Sequence, residues 1–252
     1  MIVKKSKLYT QILFANETQK GDWHRAVVYD SYKGDLDKVP FYYFIHNTPH
    51  SAVTDLKLDM VVLESKISKH VRQEIRKAIK EGYEFSYGYN YEEFVPYYNA
   101  FAEKKGIDIR VSEDRLRGFG NPQPIVTKVT HNGVVLAMHV RAFDKEQKLV
   151  MGLYTASGRF FDGVNPREAS MANKYLQYRE FALFKEMGYE TLDWSGINID
   201  PSNKAQYSIG EYKLSFGADV IPSPVLYSPL YKLMLLFRKP YTYIRNKISK
   251  NP

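Results

Sequence analysis

The sequence predicts an α+β fold, a mixed and mainly antiparallel sheet flanked by helices. Three observations lead there. Two long apolar segments meet at Asn132-Gly133, a strong signal for a tight hairpin. Three segments carry helical periodicity between their own start and stop residues. Strand-like and helical segments then alternate along the chain, with no internal repeat and no low-complexity linker.

The opening segments LYTQILF, WHRAVVYD and VPFYYFIH read as short strands, separated by turns such as Lys33-Gly34-Asp35. A helix is expected from about Ser65 to Glu81, stopped by Gly82, with Val71, Ile75, Ala78 and Ile79 as its apolar stripe. Lys69, Arg72, Arg76 and Lys80 form a second, basic stripe. That stripe suits phosphates, whether of a nucleotide-sugar diphosphate, a lipid pyrophosphate or a tRNA backbone. A solvated face, partly neutralised by Glu74 and Glu81, is the plain alternative. YEFSYG reads as a strand. The next helix starts after Asn90, with Glu93 at the N3 position of a capping box. It runs to Gly106 through Phe94, Tyr98, Phe101 and Ala102, and Pro96 costs it one hydrogen bond.

PIVTKVTHNGVVLAMHVRAFD supplies the hairpin, and a turn at Asp144–Gln147 leads into the strand KLVMGLYTAS. A long helix begins at Asn165, with Pro166 at N1 and Glu168 at N3, and ends near Met187 before Gly188. On it, Asn173, Gln177 and Glu180 form a polar stripe that reads as a solvated face, beside an apolar one of Met171, Tyr175, Tyr178 and Ala182. YETLDWSGI is a strand with Asp193 near its end. A carboxylate there can orient or deprotonate an amine, or cap a turn. A short helix over Gln206–Ser215 carries Lys213, which either snorkels to solvent or serves as a fixed cation.

Composition narrows the function classes. The 252 residues allow one large domain or two small ones, and 44% are hydrophobic, enough for a sizeable core. With no cysteine, disulfides, thiolate zinc sites and a cysteine nucleophile are excluded, and a reducing cytoplasm fits. His24, His46, His50, His70, His131 and His139 show no ligand spacing, so no metal is expected, and His139 reads as a packed or hydrogen-bonded strand residue. The first residues lack the pattern of a signal peptide, and no apolar run reaches the ~20 residues of a membrane span.

The net charge is +8, and no acidic residue follows Asp219. Lys232, Arg238, Lys239, Arg245, Lys247 and Lys250 carry six of the eight charges, leaving two on the first 219 residues. The body is therefore not a generally basic nucleic-acid binder. The tail SPLYKLMLLFRKPYTYIRNKISKNP starts as a helix, apolar nearly all round from Leu230 to Phe237, before its aromatic and basic end. That pattern suits an interfacial anchor on an anionic membrane. A helix docked on the body, with a frayed end, is the alternative.

Four segments, VRQEIRKAIKEG, NAFAEKKGI, ANKYLQYREFALFKEMGYETLDWSGI and IGEYKLSFG, together resemble the Fem family of peptidoglycan aminoacyltransferases. They look closer still to its relatives in surface-polysaccharide clusters, GNAT-like acyltransferases of the N-acetyltransferase superfamily. The resemblance spans roughly residues 60–220. It implies two GNAT-like lobes with the active site in the cleft between them. At this length the first lobe is expected to be reduced: residues 1–110 as that lobe with the basic helix, 111–225 as the catalytic lobe, 226–252 as the basic tail. Where the family has Gly-Gly after the strand aspartate, this chain has Ser195-Gly196.

The implied activity is transfer of an acyl or aminoacyl group to an amine of a cell-envelope glycan precursor, nucleotide- or lipid-linked. Lys213 would stabilise the oxyanion, with Asp193 and Tyr154 as further catalytic candidates. Asn173, Lys174, Ser157 and Tyr178 are substrate-binding candidates, with Tyr154 and Ser157 facing the cleft if the sheet splays there as in GNAT folds. Lys69, Arg72, Arg76 and Lys80 would hold phosphate. No tightly bound cofactor is implied; the donor would be a co-substrate, namely aminoacyl-tRNA, an acyl carrier or acyl-CoA. The R-x-x-G-x-G/A pyrophosphate cradle of acetyl-CoA enzymes is missing from GRFFDGVNPREASMAN, which turns the expectation away from a conventional acetyl-CoA site.

Two rivals stand beside this expectation. One is an acyl-CoA-dependent GNAT N-acetyltransferase acting on a small amine or a nucleotide amino sugar. The other is a non-catalytic membrane- or RNA-binding module. The expected location is cytoplasmic, peripheral on the inner membrane face through residues 226–252.

Overall fold

The computed structural model describes residues 1–5, 8–46, 49–119, 121–198, 200–202 and 204–236. In chain order the strands and helices are β1 (Ile2–Lys5), β2 (Thr10–Leu13), β3 (Val27–Asp30), β4 (Phe44–His46), β5 (His50–Asp55), α1 (Met60–Lys66), α2 (Lys69–Lys80), β6 (Glu84–Gly88), α3 (Tyr91–Lys105), α4 (Glu113–Arg117), β7 (Ile125–His131), β8 (Val134–Asp144), β9 (Leu149–Ser157), α5 (Pro166–Glu186), β10 (Thr191–Ile197), α6 (Lys204–Leu214), β11 (Asp219–Pro222) and β12 (Val225–Tyr227). Helical backbone continues at 229–236. The fold is α+β with mainly antiparallel strands, as the sequence predicts.

The chain divides into two compact units. One joins Met1–His50 to the described residues from Pro222 onward, and the other is Ser51–Ile221. The boundary expected at residue 110 lies inside the second unit. The first unit is built on a five-stranded sheet in the order β1-β2-β3-β12-β4. Its core includes Ile12, Val27, Tyr29, Tyr43 and Leu226. Asp22, fully buried there, accepts from the hydroxyls of Tyr29 (2.6 Å) and Tyr43 (2.7 Å).

The second unit holds a seven-stranded sheet in the order β11-β5-β10-β9-β8-β7-β6. The Asn132-Gly133 turn has φ of 50° and 77°, the mirror-image turn that matches strand twist. β6 to β9 pair antiparallel, and β9 pairs parallel with β10. α2 and α5 cover one face over Ile75, Ala137, Phe143, Leu176 and Phe184, while α3 covers the other over Phe94, Tyr98, Met138, Val140 and Ala156. β8 is therefore buried on both faces, which is why its sequence is apolar almost throughout.

The helix expected from Ser65 is two helices. Ser68 breaks the run and caps α2, its hydroxyl accepting from the Val71 amide. Glu93 makes no capping box; its carboxylate instead takes two hydrogen bonds from Lys128 on β7, at 2.8 and 2.7 Å. α5 follows the prediction, with the Asn165 side chain accepting from Arg167 and Gly188 at φ 82° past the end. Among the described residues no helix is long and apolar enough to cross a membrane. The tail beyond residue 236 lies outside the described residues.

Candidate active site

The parallel pairing of β9 and β10 is short. Leu149, Val150 and Met151 pair with Thr191, Leu192 and Asp193, and the register ends there although both strands continue. The backbone ladder thus opens after Met151 and Asp193, while the Ser195 hydroxyl still bridges to the Gly152 carbonyl. Asp193 sits at the opening rather than at the strand's end, since β10 runs on to Ile197. It is fully buried. Its Oδ1 accepts from the Ser51 hydroxyl and, at 2.7 Å, from the Ser195 amide.

That amide belongs to a residue in the left-handed region, Ser195 at φ 65°. Glycine would be at ease there, whereas serine is strained. The strain is offset by Asp193 and by the Ser195 hydroxyl, which donates to the Gly152 carbonyl at 2.7 Å and ties β10 back to β9. Ser195→Val is expected to lower stability by about 1–3 kcal/mol, because a β-branched residue resists this backbone and makes neither bond. Ser195→Gly exchanges strain for a lost hydrogen bond and is expected to change stability by less than about 1 kcal/mol. Urea unfolding of the two variants checks the order.

Lys213 is carried by α6 to the same place. Its Nζ donates to the carbonyls of Trp194 (2.8 Å), Ser195 (2.9 Å) and Gly196 (2.6 Å), so all three ammonium protons are engaged. The ammonium therefore gathers the end of β10 around itself. Burial lowers its pKa to about 8, against an upward pull from Asp193, and Arg141 lowers it further. It does not snorkel to solvent.

Beneath the opening lies a polar network. Glu180 on α5 is fully buried. Its Oε1 accepts from Thr127 (2.5 Å) and from Arg141 Nε (2.9 Å), and its Oε2 from Arg141 Nη2 (2.5 Å). Arg141 Nη2 also reaches Gln177 Oε1 at 2.8 Å and His139 Nδ1 at 2.7 Å. Burial would raise the Glu180 carboxyl, but the Arg141 charge and its hydrogen bonds, with a smaller pull from His139, outweigh it and hold the pKa at about 2. His139 Nε2 meets Asn173 Oδ1 at 2.9 Å, and Asn173 Nδ2 donates to the Tyr212 hydroxyl at 2.7 Å. Because the Asn173 amide nitrogen serves Tyr212, its oxygen accepts, and Nε2 of His139 carries the proton.

Gly152 makes room for this arrangement. A Cβ there would lie 2.7 Å from Arg141 Nη1 and 3.6 Å from the Trp194 carbonyl oxygen, the same oxygen that Lys213 grips. An N–H edge of the buried guanidinium therefore lies under Gly152, the first residue of β9 beyond its ladder with β10.

The other sequence candidates fall elsewhere. Tyr154 packs against Tyr98 at 5.2 Å and near Arg115 on the α3 side, where burial raises its pKa. Ser157 is buried and its hydroxyl accepts from Arg159, capping a single helical turn. Lys174 is tied to Glu74 (2.5 Å) and Ser170 (3.1 Å). Tyr178 donates to Glu64 and lines a cavity of about 240 Å³ with Ile67, Arg72, Ile75, Arg76 and Ile79. Arg72 and Arg76 have no ion-pair partner among the described residues. Lys69 and Lys80 are exposed and outside that lining.

No protein-family model and no curated protein sequence matches the chain. Solved structures do. A structure titled FemX matches with a TM-score of 0.68 at 12% identity, over 93% of this chain and 85% of that one. The fold is FemX-like. L-PGS from Bacillus licheniformis matches with a TM-score of 0.59 at 13% identity, over 94% and 84% of the two chains. The C-terminal domain of a putative lysylphosphatidylglycerol synthetase from Agrobacterium fabrum gives 0.57 at 12% identity, over 90% and 80%.

Within this Fem-like fold, two of the sequence candidates, Lys213 and Asp193, come together near Arg141, which the sequence reading did not single out, and the polar stripe of α5 lies elsewhere than expected. Gln177 and Glu180 are buried against the sheet, not solvated. The missed signal is on β8: His139 and Arg141 alternate within an apolar run that is buried on both faces, so each needs a polar partner on a facing element.

Proposed function

We propose that the protein is an N-acyltransferase that forms an amide at the opening between β9 and β10. The reading rests on one observation above all: a strand ladder that opens where a buried carboxylate, a fixed ammonium and a guanidinium edge converge. Amide formation develops negative charge on the donor carbonyl oxygen, and donors already in place stabilise it without reorganisation. In this reading Lys213 supplies charge and holds the Trp194–Gly196 backbone in shape. Because its protons are engaged, Arg141 Nη1 is the better-placed donor to the acyl oxygen. Asp193 orients the incoming amine or takes its proton.

The acceptor is an amine of a cell-envelope glycan precursor, an amino sugar or an amino acid, carried on a nucleotide or a lipid. Its phosphates lie against Arg72 and Arg76. The donor is an acyl or aminoacyl group on tRNA, a carrier or coenzyme A. Charge-assisted bonds are worth about 1.5–3 kcal/mol each, so the double change Arg72→Gln with Arg76→Gln is expected to raise KM for a phosphate-bearing acceptor at least tenfold, with kcat little changed.

The similarity to a putative lysylphosphatidylglycerol synthetase and to L-PGS suggests a second reading, aminoacyl transfer to a lipid phosphate ester. Mass spectrometry of glycans and lipids from a deletion strain separates the two. Loss of an acyl group from an envelope glycan supports the first, loss of an aminoacylated lipid supports the second, and no change in either overturns both.

A further inference from the structure

The first unit carries a feature that acyl transfer does not use. Its sheet ends in β4, and all three residues of that edge strand, Phe44, Ile45 and His46, are exposed. Phe41, just before it, is 99% exposed. Edge strands in soluble proteins are usually blunted with charge or covered, so an apolar edge this open calls for a partner. The helical stretch 229–236 adds exposed Leu230, Leu233 and Leu236, spaced three apart along one stripe.

These groups are joined by contacts. Lys232 Nζ lies 5.6 Å from the ring centres of both Phe44 and Tyr227. Tyr227 stacks on Tyr231 at 5.5 Å, and Tyr231 meets Tyr9 edge-on at 5.1 Å, next to exposed Leu8. Lys232 thus lies between the rings of Phe44 and Tyr227, on the helix that carries the exposed leucines. Charge identifies the partner. Lys232 is the first of six cations after Asp219, and no acidic residue offsets them.

We propose that this face of the first unit docks on an anionic phospholipid bilayer. Leu233, Leu236, Phe41 and Phe44 enter the boundary between headgroups and acyl chains, Tyr227 sits at headgroup level, and Lys232 meets lipid phosphates. The exposed stripe of the helix is aliphatic, and such side chains bury well in lipid. The proposal does not depend on the acyl-transfer reading.

The test is co-sedimentation of the full chain with phosphatidylcholine vesicles, with and without phosphatidylglycerol. The protein is expected to pellet with the phosphatidylglycerol vesicles and to be released as salt rises. The exposed-residue variant Phe41→Ser, Phe44→Ser, Leu233→Ser is expected to stay in solution while melting at an unchanged temperature. Lys232→Gln is expected to weaken partitioning about fivefold, the equivalent of roughly 1 kcal/mol for one basic residue. The proposal is overturned if the wild type does not pellet at low salt, or if the folded triple variant pellets as well as the wild type. It is equally overturned if the same three changes abolish binding to a single-stranded RNA oligonucleotide and leave vesicle binding intact.

Discussion

Glu180→Ala is expected to destabilise the protein by about 3–5 kcal/mol, as removal of one partner from a buried ion pair does. The carboxylate is fully buried and holds Arg141 through both oxygens. Without it, a guanidinium is left in the core with Gln177 and His139 as its neighbours and no compensating charge. Restoring the balance should restore the fold: Glu180→Leu combined with Arg141→Met is expected to recover most of the loss, since well-packed apolar replacements of such pairs are often neutral or better. If the double variant were as stable as the wild type yet inactive, the pair would be retained for the site and not for the fold.

The same group sets part of the acid limb. Its pKa is depressed in the folded state, from 4.5 to about 2, so its contribution is complete above about 4.5 and is lost as pH falls toward 2. Urea unfolding between pH 7 and pH 2 should therefore show a decline in the wild type that is shallower in Glu180→Ala. A Glu180→Ala variant within 1 kcal/mol of the wild type at pH 7 would refute the account.

What the sequence disclosed and what it hid follow one physical division. Local signals were legible. Asn132-Gly133 must adopt positive φ wherever it lies, and Asn165-Pro166 with Gly188 brackets α5 whatever it packs against. β5 was not legible, because HSAVTD is short and mixed in pattern, and only its place between β11 and β10 makes it a strand. The Ser68 break was hidden by apolar periodicity that continues on both sides of it. At the site, Lys213 and Asp193 lie in recognisable motifs. Arg141 and Glu180 are defined by each other across β8 and α5, a pairing of tertiary origin. Tyr154 shows the converse: one position on β9 decides which face a side chain takes, and its packing against Tyr98 places it with α3.

Lys213→Ala is expected to reduce acyl transfer about 10²–10³-fold, the usual effect of removing one preorganised electrostatic donor. Two consequences of the change must be separated. The carbonyls of Trp194, Ser195 and Gly196 lose their common donor, which costs stability, and the opening loses a positive charge, which costs rate. The pH profile separates them. In the wild type the ammonium deprotonates with a pKa of about 8, so activity that depends on its charge falls as pH rises through 8. Stability moves the other way. Between about 8 and 10.5 the unfolded chain keeps the proton that the folded chain releases, so this group's contribution to folding improves with pH. A purely structural lysine would give no such opposition. Lys213→Arg keeps a charge that does not titrate in this range, so its residual activity should lack the descending limb near pH 8. Activity of Lys213→Ala equal to the wild type, or a Lys213→Arg profile with the same limb, would remove Lys213 from the chemistry and leave it a brace for β10.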